Sequence, residues 1–193
     1  MNRRELAAAV LPEDLLVPFL LTLPAYVANP MAVLFGGRRP MDSGKLWRDG
    51  RRVLGDGKTW RGFFGGALSG IVFGAIITVI LGMRSAVPGW EPIRYFLAFA
   101  AMAFGAVSGD VLGAFVKRRL GLDRGAKAPG LDQYDFLLGA FLFTAIVDPG
   151  FFTATYLTGD RTFGLLFVIL ITPLLHRAVN LIGFAMGKKK EPW

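Results

Sequence analysis

Three short segments of this sequence carry residue types suited to phosphate chemistry. The first is Gly55-Asp56-Gly57-Lys58-Thr59-Trp60-Arg61-Gly62, where glycines around Lys58 and Thr59 let backbone amides approach an anion. A helix beginning near Gly62 would add the partial positive charge of its N-terminus to the charges of Lys58 and Arg61. The segment is not a Walker A loop, because no strand precedes it and the glycine spacing differs, so Walker-type NTP hydrolysis is not expected. A basic stretch beside a membrane, with Gly62, Gly65, Gly66 and Gly70 packing against a neighbouring helix, would account for the same residues without a ligand.

The second segment starts at Gly109-Asp110 and runs to Lys117-Arg118-Arg119, and the third is Leu131-Asp132-Gln133-Tyr134-Asp135-Phe136. Asp110 stands in an otherwise apolar run, where a carboxylate needs a cation, a partner or water. Lys117 follows seven residues later, two helical turns along the same face. Asp132 and Asp135 are three apart and share a face if a helix has begun there. Carboxylates near many cations suit a magnesium ion that holds polyphosphate, since hard cations prefer oxygen ligands. The competing reading is that Asp132 and Asp135 pair with Arg124 and Lys127 at a helix start, where acids are favoured in any case.

The elements that must position these groups are membrane helices. Of 193 residues, 53% are apolar, and the mean hydropathy of +0.48 is too high for an ordinary soluble domain. A bilayer core about 30 Å thick is crossed by roughly 20 apolar residues. Five such stretches are expected, at 15–35, 62–82, 94–115, 136–157 and 163–186, in one all-α polytopic domain covering 1–193. The first stretch lacks a small-residue cleavage site and is expected to stay in the mature protein. Its Asn29-Pro30 pair is expected to kink or stop the helix.

Charge placement sets the topology. The net charge of +8 is grouped by loop, which argues for membrane topology and against nucleic acid. Arg38, Arg39, Lys45, Arg48, Arg51, Arg52, Lys58 and Arg61 lie between the first two spans, and Lys117, Arg118, Arg119, Arg124 and Lys127 lie between the third and fourth. Lys188, Lys189 and Lys190 form a tail, whereas the connections at Val87–Pro92 and Thr158–Arg161 carry almost no positive charge. The positive-inside rule then puts the basic loops and C-terminus in the cytoplasm and the N-terminus outside. Arg3 and Arg4 oppose this weakly, but Glu5, Glu13 and Asp14 share their segment. The chain has no cysteine, so thiol catalysis and disulfides are excluded.

In order and in kind, these motifs resemble the CDP-archaeol synthases, archaeal relatives of the phosphatidate cytidylyltransferases. The resemblance rests on Ala28-Asn29-Pro30, Asp42-Ser43-Gly44-Lys45, the Gly55–Gly62 segment, Gly109-Asp110, Lys117-Arg118-Arg119 and Leu131–Phe136. It implies five spans in the cell membrane and a magnesium-dependent reaction of CTP with an isoprenoid ether lipid phosphate, 2,3-bis-O-(geranylgeranyl)-sn-glycerol 1-phosphate. It also implies Asp110 and Asp132 as metal ligands, with Asp135 and Asp56 less firmly attached. Lys58, Thr59, Gly62, Asp56, Lys117 and Arg118 would meet CTP phosphates, and Arg118, Arg119 and Lys127 the lipid phosphate. Catalysis would fall to Asp110, Asp132, Lys117 and Lys58. One departure is Ala114, where similar sequences usually carry Ser.

A phosphate monoester with a second pKa near 6 is largely dianionic at neutral pH, so such a reaction needs no strong base. The lone His176, with Asp148, Arg177 and Asn180, is therefore expected to be structural, paired inside the bundle. Phe63, Phe64, Phe115 and Phe136 are at the right depth to line a lateral groove for lipid chains, and serve at least as well as interfacial or packing aromatics. Three other functions fit the composition: a phosphatidate cytidylyltransferase acting on ester lipids, a small transporter using Asp110 and Asp148, and a basic membrane scaffold without catalysis.

Overall fold

The computed structural model describes residues 12–84, 91–188 and 191. Arg3, Arg4 and Glu5, most of the Val87–Pro92 connection, and Lys189 and Lys190 of the basic tail lie outside the described residues. The described chain is helical: α1 Pro12–Leu34, α2 Trp60–Arg84, α3 Pro92–Arg119, α4 Leu131–Val147, α5 Pro149–Tyr156 and α6 Arg161–Ala185. Its only β-type pairings, among the described residues, are isolated bridges in the loop between α1 and α2.

Four helices, α1, α2, α3 and α6, are long and apolar enough to cross a membrane. Their large apolar side chains stand exposed on the outer faces, as at Leu68, Val72 and Ile76 of α2 and Leu166, Leu170 and Leu174 of α6. Lipid is the solvent that removes the penalty for such surfaces. The core lies around α3, where Met102, Ala103, Ala106 and Val107 meet Ala25 and Ala28 of α1, Ala67 of α2, and Phe136, Leu137 and Ala140 of α4. Buried hydroxyls satisfy one another across the bundle, Thr22 with Tyr156 at 2.8 Å and Tyr26 with Thr172 at 2.5 Å.

Two expectations are corrected. The stretch 136–157 is not one helix, because Asp148 leaves helical geometry at φ −141°, ψ 85° between α4 and α5. A residue before proline is driven out of the α region, and proline is well placed at the first position of a new helix. Asp148 then caps α5, accepting from Phe151 N at 2.7 Å, while Arg94 at the start of α3 grips both its oxygens at 2.5 and 2.8 Å. With 17 residues, α4 is about 25 Å long, short of a full crossing by itself.

The second correction concerns the end of α1, which does not stop at Asn29-Pro30 but continues as helix to Leu34 with Pro18, Pro24 and Pro30 inside it. Proline costs a helix a backbone bond, but packing overrides that local preference here. Glycines of α2 press onto the α1 backbone: a side chain at Gly62 would meet the Ala32 carbonyl, and one at Gly66 the Ala28 carbonyl, each at 2.6 Å. Gly164 of α6 likewise lies against the Asp14 carbonyl and the Pro18 ring.

The antiparallel pair of α3 and α4 makes the most extensive helix–helix contact among the described residues. Gly105, Gly109 and Gly113 of α3 face Gly139 and Asp135 of α4 so closely that a Cβ at Gly109 would overlap the Asp135 carbonyl. That approach brings Asp110 and Asp135 into one region.

Candidate active site

The end of α1, the start of α2, the end of α3 and the start of α4 meet at one end of the bundle, together with the loops 35–59 and 120–130. The longer loop is organised around Asp42, whose side chain is 1% exposed. Its carboxylate accepts from Arg52 at 2.8 and 3.2 Å and from the amides of Gly44, Leu54 and Gly55. Ser43 and Gly44 take positive φ values of 48° and 82°, which turn the chain back beneath that carboxylate. Arg52 and these amides hold the Asp42 carboxyl well below the usual carboxylate range.

This predicts a direction for acid sensitivity. A carboxyl depressed in the folded state stabilises the loop fully above the free aspartate value near 4, and that contribution decays as pH falls from there towards the lower native value. The Asp42→Ala variant is expected to lose about 1–3 kcal/mol, the scale for leaving the amides of Gly44, Leu54 and Gly55 without their acceptor. Protease cleavage within residues 38–58, followed against pH, measures both effects. Cleavage rates for the native chain that stay flat between pH 6 and pH 3 would contradict the first.

Thr59 closes the loop. Its buried hydroxyl oxygen accepts from Gly37 N and Gly62 N, each at 3.1 Å, and Met41 N donates to Lys58 O at 2.8 Å. Thr59, expected at phosphate, thus has a structural role in this loop, and Gly62 is occupied with helix packing. What the loop presents is Lys58, whose Nζ reaches Asp110 Oδ2 of α3 at 2.6 Å. On the same face of α3, Lys117 Nζ meets Asp132 Oδ1 of α4 at 2.6 Å, and the other Asp132 oxygen accepts from Ala128 N at 2.8 Å. Asp135 accepts from Phe136 N at 2.6 Å, lies against Gly113, and feels the charges of Asp110, Lys58 and Asp132.

Four of the expected residues, Lys58, Asp110, Lys117 and Asp132, therefore form two lysine–carboxylate bridges, with Asp135 beside them. Both bridges remain partly accessible, at 16–24% side-chain exposure. Among the described residues, no three histidine or carboxylate groups converge into a metal cage. That is compatible with magnesium, which commonly takes one or two carboxylates and fills its remaining positions with water and substrate phosphate. The oxygen donors of Asp110, Asp132 and Asp135 fit that chemistry.

A cleft of about 260 Å³ opens between the same loops and the end of α3, lined by Arg51, Arg52, Gly55, Asp56, Arg118, Gly121, Leu122, Asp123 and Arg124. Arg52 is held by Asp42 and Asp56, and Arg118 by the carbonyls of Leu54 and Leu122. Arg51 and Arg124 have no carboxylate partner among the described residues, so the cleft has cationic capacity in reserve. Sequence reading singled out neither this cleft nor Asp42 as a hub. Asp56 is exposed on the cleft wall, and Lys127 is exposed on the 120–130 loop. Arg119, expected at a lipid phosphate, is committed to Asp49 at 2.6 Å and to Arg52 O at 2.6 Å.

The expected phenylalanine groove is not formed. Phe136 is core at 2% exposure, Phe115 packs on Trp47, and Phe64 stacks on Trp60. An apolar groove of about 350 Å³ lies instead between α1 and α2, lined by Val27, Met31, Leu68, Ser69, Val72, Phe73 and Ile76. His176 contacts Asn180 at 3.3 Å as expected of a structural histidine, whereas Arg177 is exposed rather than buried.

Comparison with known proteins places these features in context. The family model described as CarS-like CDP-archaeol synthase matches residues 13–193. A CDP-archaeol synthase of Methanosphaerula palustris is 49% identical over 171 residues, covering 89% of this chain and 99% of the relative. That of Methanosarcina barkeri is 45% identical over 178 residues with the same coverage. A solved structure, described as an intramembrane enzyme for archaeal membrane lipids biosynthesis, aligns with a TM-score of 0.63 at 35% identity, covering 91% of this chain and 95% of that one.

Proposed function

The chain belongs to the CDP-archaeol synthase family, and from that premise we propose how its own residues carry the family's reaction. The enzyme transfers the cytidylyl group of CTP to 2,3-bis-O-(geranylgeranyl)-sn-glycerol 1-phosphate, releasing pyrophosphate and forming unsaturated CDP-archaeol. An oxygen of the lipid phosphate attacks the α-phosphorus of CTP, a new P–O–P link forms, and the bond to the β-phosphate breaks.

The observation that carries the residue assignment is the pair of bridges, Lys58–Asp110 and Lys117–Asp132, two turns apart on one face of α3, with an arginine-lined cleft formed by the adjoining loops. The barrier in this reaction is the meeting of two anions and the charge that develops on pyrophosphate. Lys58 and Lys117 neutralise that charge once phosphate competes for them, and Arg51, Arg118 and Arg124 hold the far phosphates of CTP in the cleft. A magnesium ion held by Asp110 and Asp132, with Asp135 behind, would supply charge neutralisation and orientation of the phosphates. The lipid phosphate binds at the same end of the bundle, with Lys127 at the rim.

The bundle end that carries these loops is the cytoplasmic one by its positive charge. In this reading α4 and α5 together make a broken fifth crossing in the cell membrane. Broken helices are tolerated in lipid where their freed backbone groups and polar caps are satisfied within protein. The caps and the Arg94 clasp at Asp148 meet that requirement.

Lipid selectivity provides the test. Purified enzyme with CTP and magnesium is expected to turn over the ether-linked isoprenoid phosphate at least about tenfold faster than ester-linked phosphatidic acid, read as CDP-lipid and pyrophosphate. Equal rates would sink the ether-lipid assignment and leave a general lipid-phosphate cytidylyltransferase.

A further inference from the structure

Within the loop 35–59 the chain makes a small hairpin with a greasy tip. Leu46 and Arg52 form an isolated antiparallel bridge, Trp47 N donates to Arg51 O at 2.7 Å, and Gly50 N donates to Trp47 O at 3.0 Å. Leu46 and Trp47 are 62% and 46% exposed, and exposed Lys45 and Arg48 flank them. The hairpin is fixed in position rather than loose. The Trp47 ring meets Phe115 edge-on at 5.3 Å, and Arg119 lies over both rings while pairing with Asp49.

Phe115 is four residues from the end of α3, so Trp47 is held at the depth where the helices leave the apolar layer. At the same end, Trp60 stacks on Phe64 at 6.0 Å, and both are more than half exposed. Tryptophan beside lysine and arginine is the residue mix that settles at the headgroup level of a bilayer. Among the described residues, nothing in the chain covers the exposed faces of Leu46 and Trp47.

We propose that the Leu46–Trp47 hairpin is a membrane-surface anchor, inserted into the leaflet on the active-site side. Leu46 and Trp47 sit among the upper acyl carbons, and Lys45 and Arg48 lie against the phosphates of anionic lipids. A second copy of the chain is the poorer occupant, since the apolar tip is two side chains wide and the cations around it would face identical cations. The anchor holds the loop that carries Lys58 at the height of the leaflet in which a lipid phosphate travels. The inference rests on the membrane reading of the bundle, and its test separates the two.

In a variant with Trp60, Trp90 and Trp193 changed to Phe, Trp47 is the only tryptophan. The protein is placed in nanodiscs of phosphatidylglycerol brominated either near the headgroup or near the chain ends. Trp47 emission is expected to be blue-shifted and quenched at least twofold by the shallow bromines, and less by the deep ones. Unquenched emission overturns the anchor, whether it is water-like or shielded, the shielded case indicating a protein partner. As a control, Trp47 is also removed and Val72→Trp introduced on the exposed face of α2, where deep bromines are expected to quench. If the indole introduced at position 72 is not quenched, the membrane reading itself fails; if only Trp47 is unquenched, the anchor alone fails. Independently, Leu46→Glu is expected to lower CDP-lipid formation at least fivefold in phosphatidylglycerol vesicles and to leave it unchanged in detergent micelles. Equal activity in both would also overturn the proposal.

Discussion

Asp110→Asn and Asp132→Asn are each expected to lower CDP-lipid formation by at least about a hundredfold, close to 3 kcal/mol of transition-state stabilisation, while the protein still inserts and folds. The substitution keeps the size and shape of the side chain and removes its charge. Each carboxylate is held by one lysine in the present arrangement, at 2.6 Å. Losing the charge frees Lys58 or Lys117 for phosphate but, under the proposed metal assignment, replaces an anionic carboxylate ligand with a single neutral amide oxygen. If the carboxylates are metal ligands, that loss dominates, and the residual rate rises with magnesium concentration. If they only position lysines, the variants keep most of their activity and show no magnesium dependence beyond that of the native enzyme. Turnover against magnesium concentration, with thermal unfolding in detergent as the folding control, decides between them. Activity within threefold of native in both variants would refute the metal assignment.

Gly139→Ala is expected to reduce turnover by about a hundredfold for a different reason. A Cβ at Gly139 would overlap the Gly105 carbonyl, and one at Gly109 would overlap the Asp135 carbonyl, so neither has room without moving α4 off α3. Overpacking of this kind costs about 1–3 kcal/mol. A displacement near 1 Å of catalytic groups costs on the order of a hundredfold in rate. Asp132 and Asp135 ride on α4 and Asp110 on α3, so the shift falls directly on their separation. Leu142→Ala, on an exposed face of α4, is the control and should leave turnover unchanged. A Gly139→Ala variant with native turnover would show that the close approach serves stability alone.

The sequence made the helical stretches legible and pointed to the carboxylates and lysines that the fold gathers at one end, because both signals are local. Apolar length marks a spanning helix, and a lone aspartate inside one, Asp110, stands out by its cost. Partnerships were less legible. Lys58 meets Asp110 across 52 positions, and nothing in local periodicity announces that pairing. Asp42 is similar: its role depends on Arg52, Leu54 and Gly55 returning to it from 10 to 13 residues away. The break at Asp148-Pro149 did carry a local signal, but the hydropathy of the surrounding residues averages across it. At Pro30 the local signal to stop the helix was overridden, because glycines of α2 support the α1 backbone. The phenylalanines were ambiguous from the start, since one apolar ring serves equally as core, belt or groove, and Phe136 became core.

The helix break at Asp148 has a mechanical consequence. It makes α4 a short rod, pinned to α3 by Arg94–Asp148 at one end and by Lys117–Asp132 at the other, with interlocked glycines between. Sliding α4 along α3 by one helical turn, about 5.4 Å, would break both pins together and pull Gly139 out of its seat. Releasing Lys117 alone, as an incoming phosphate would, leaves the distal pin and the glycine seat engaged. Under the proposed mechanism the two rods would therefore exchange ionic partners at the working end during turnover without losing their register.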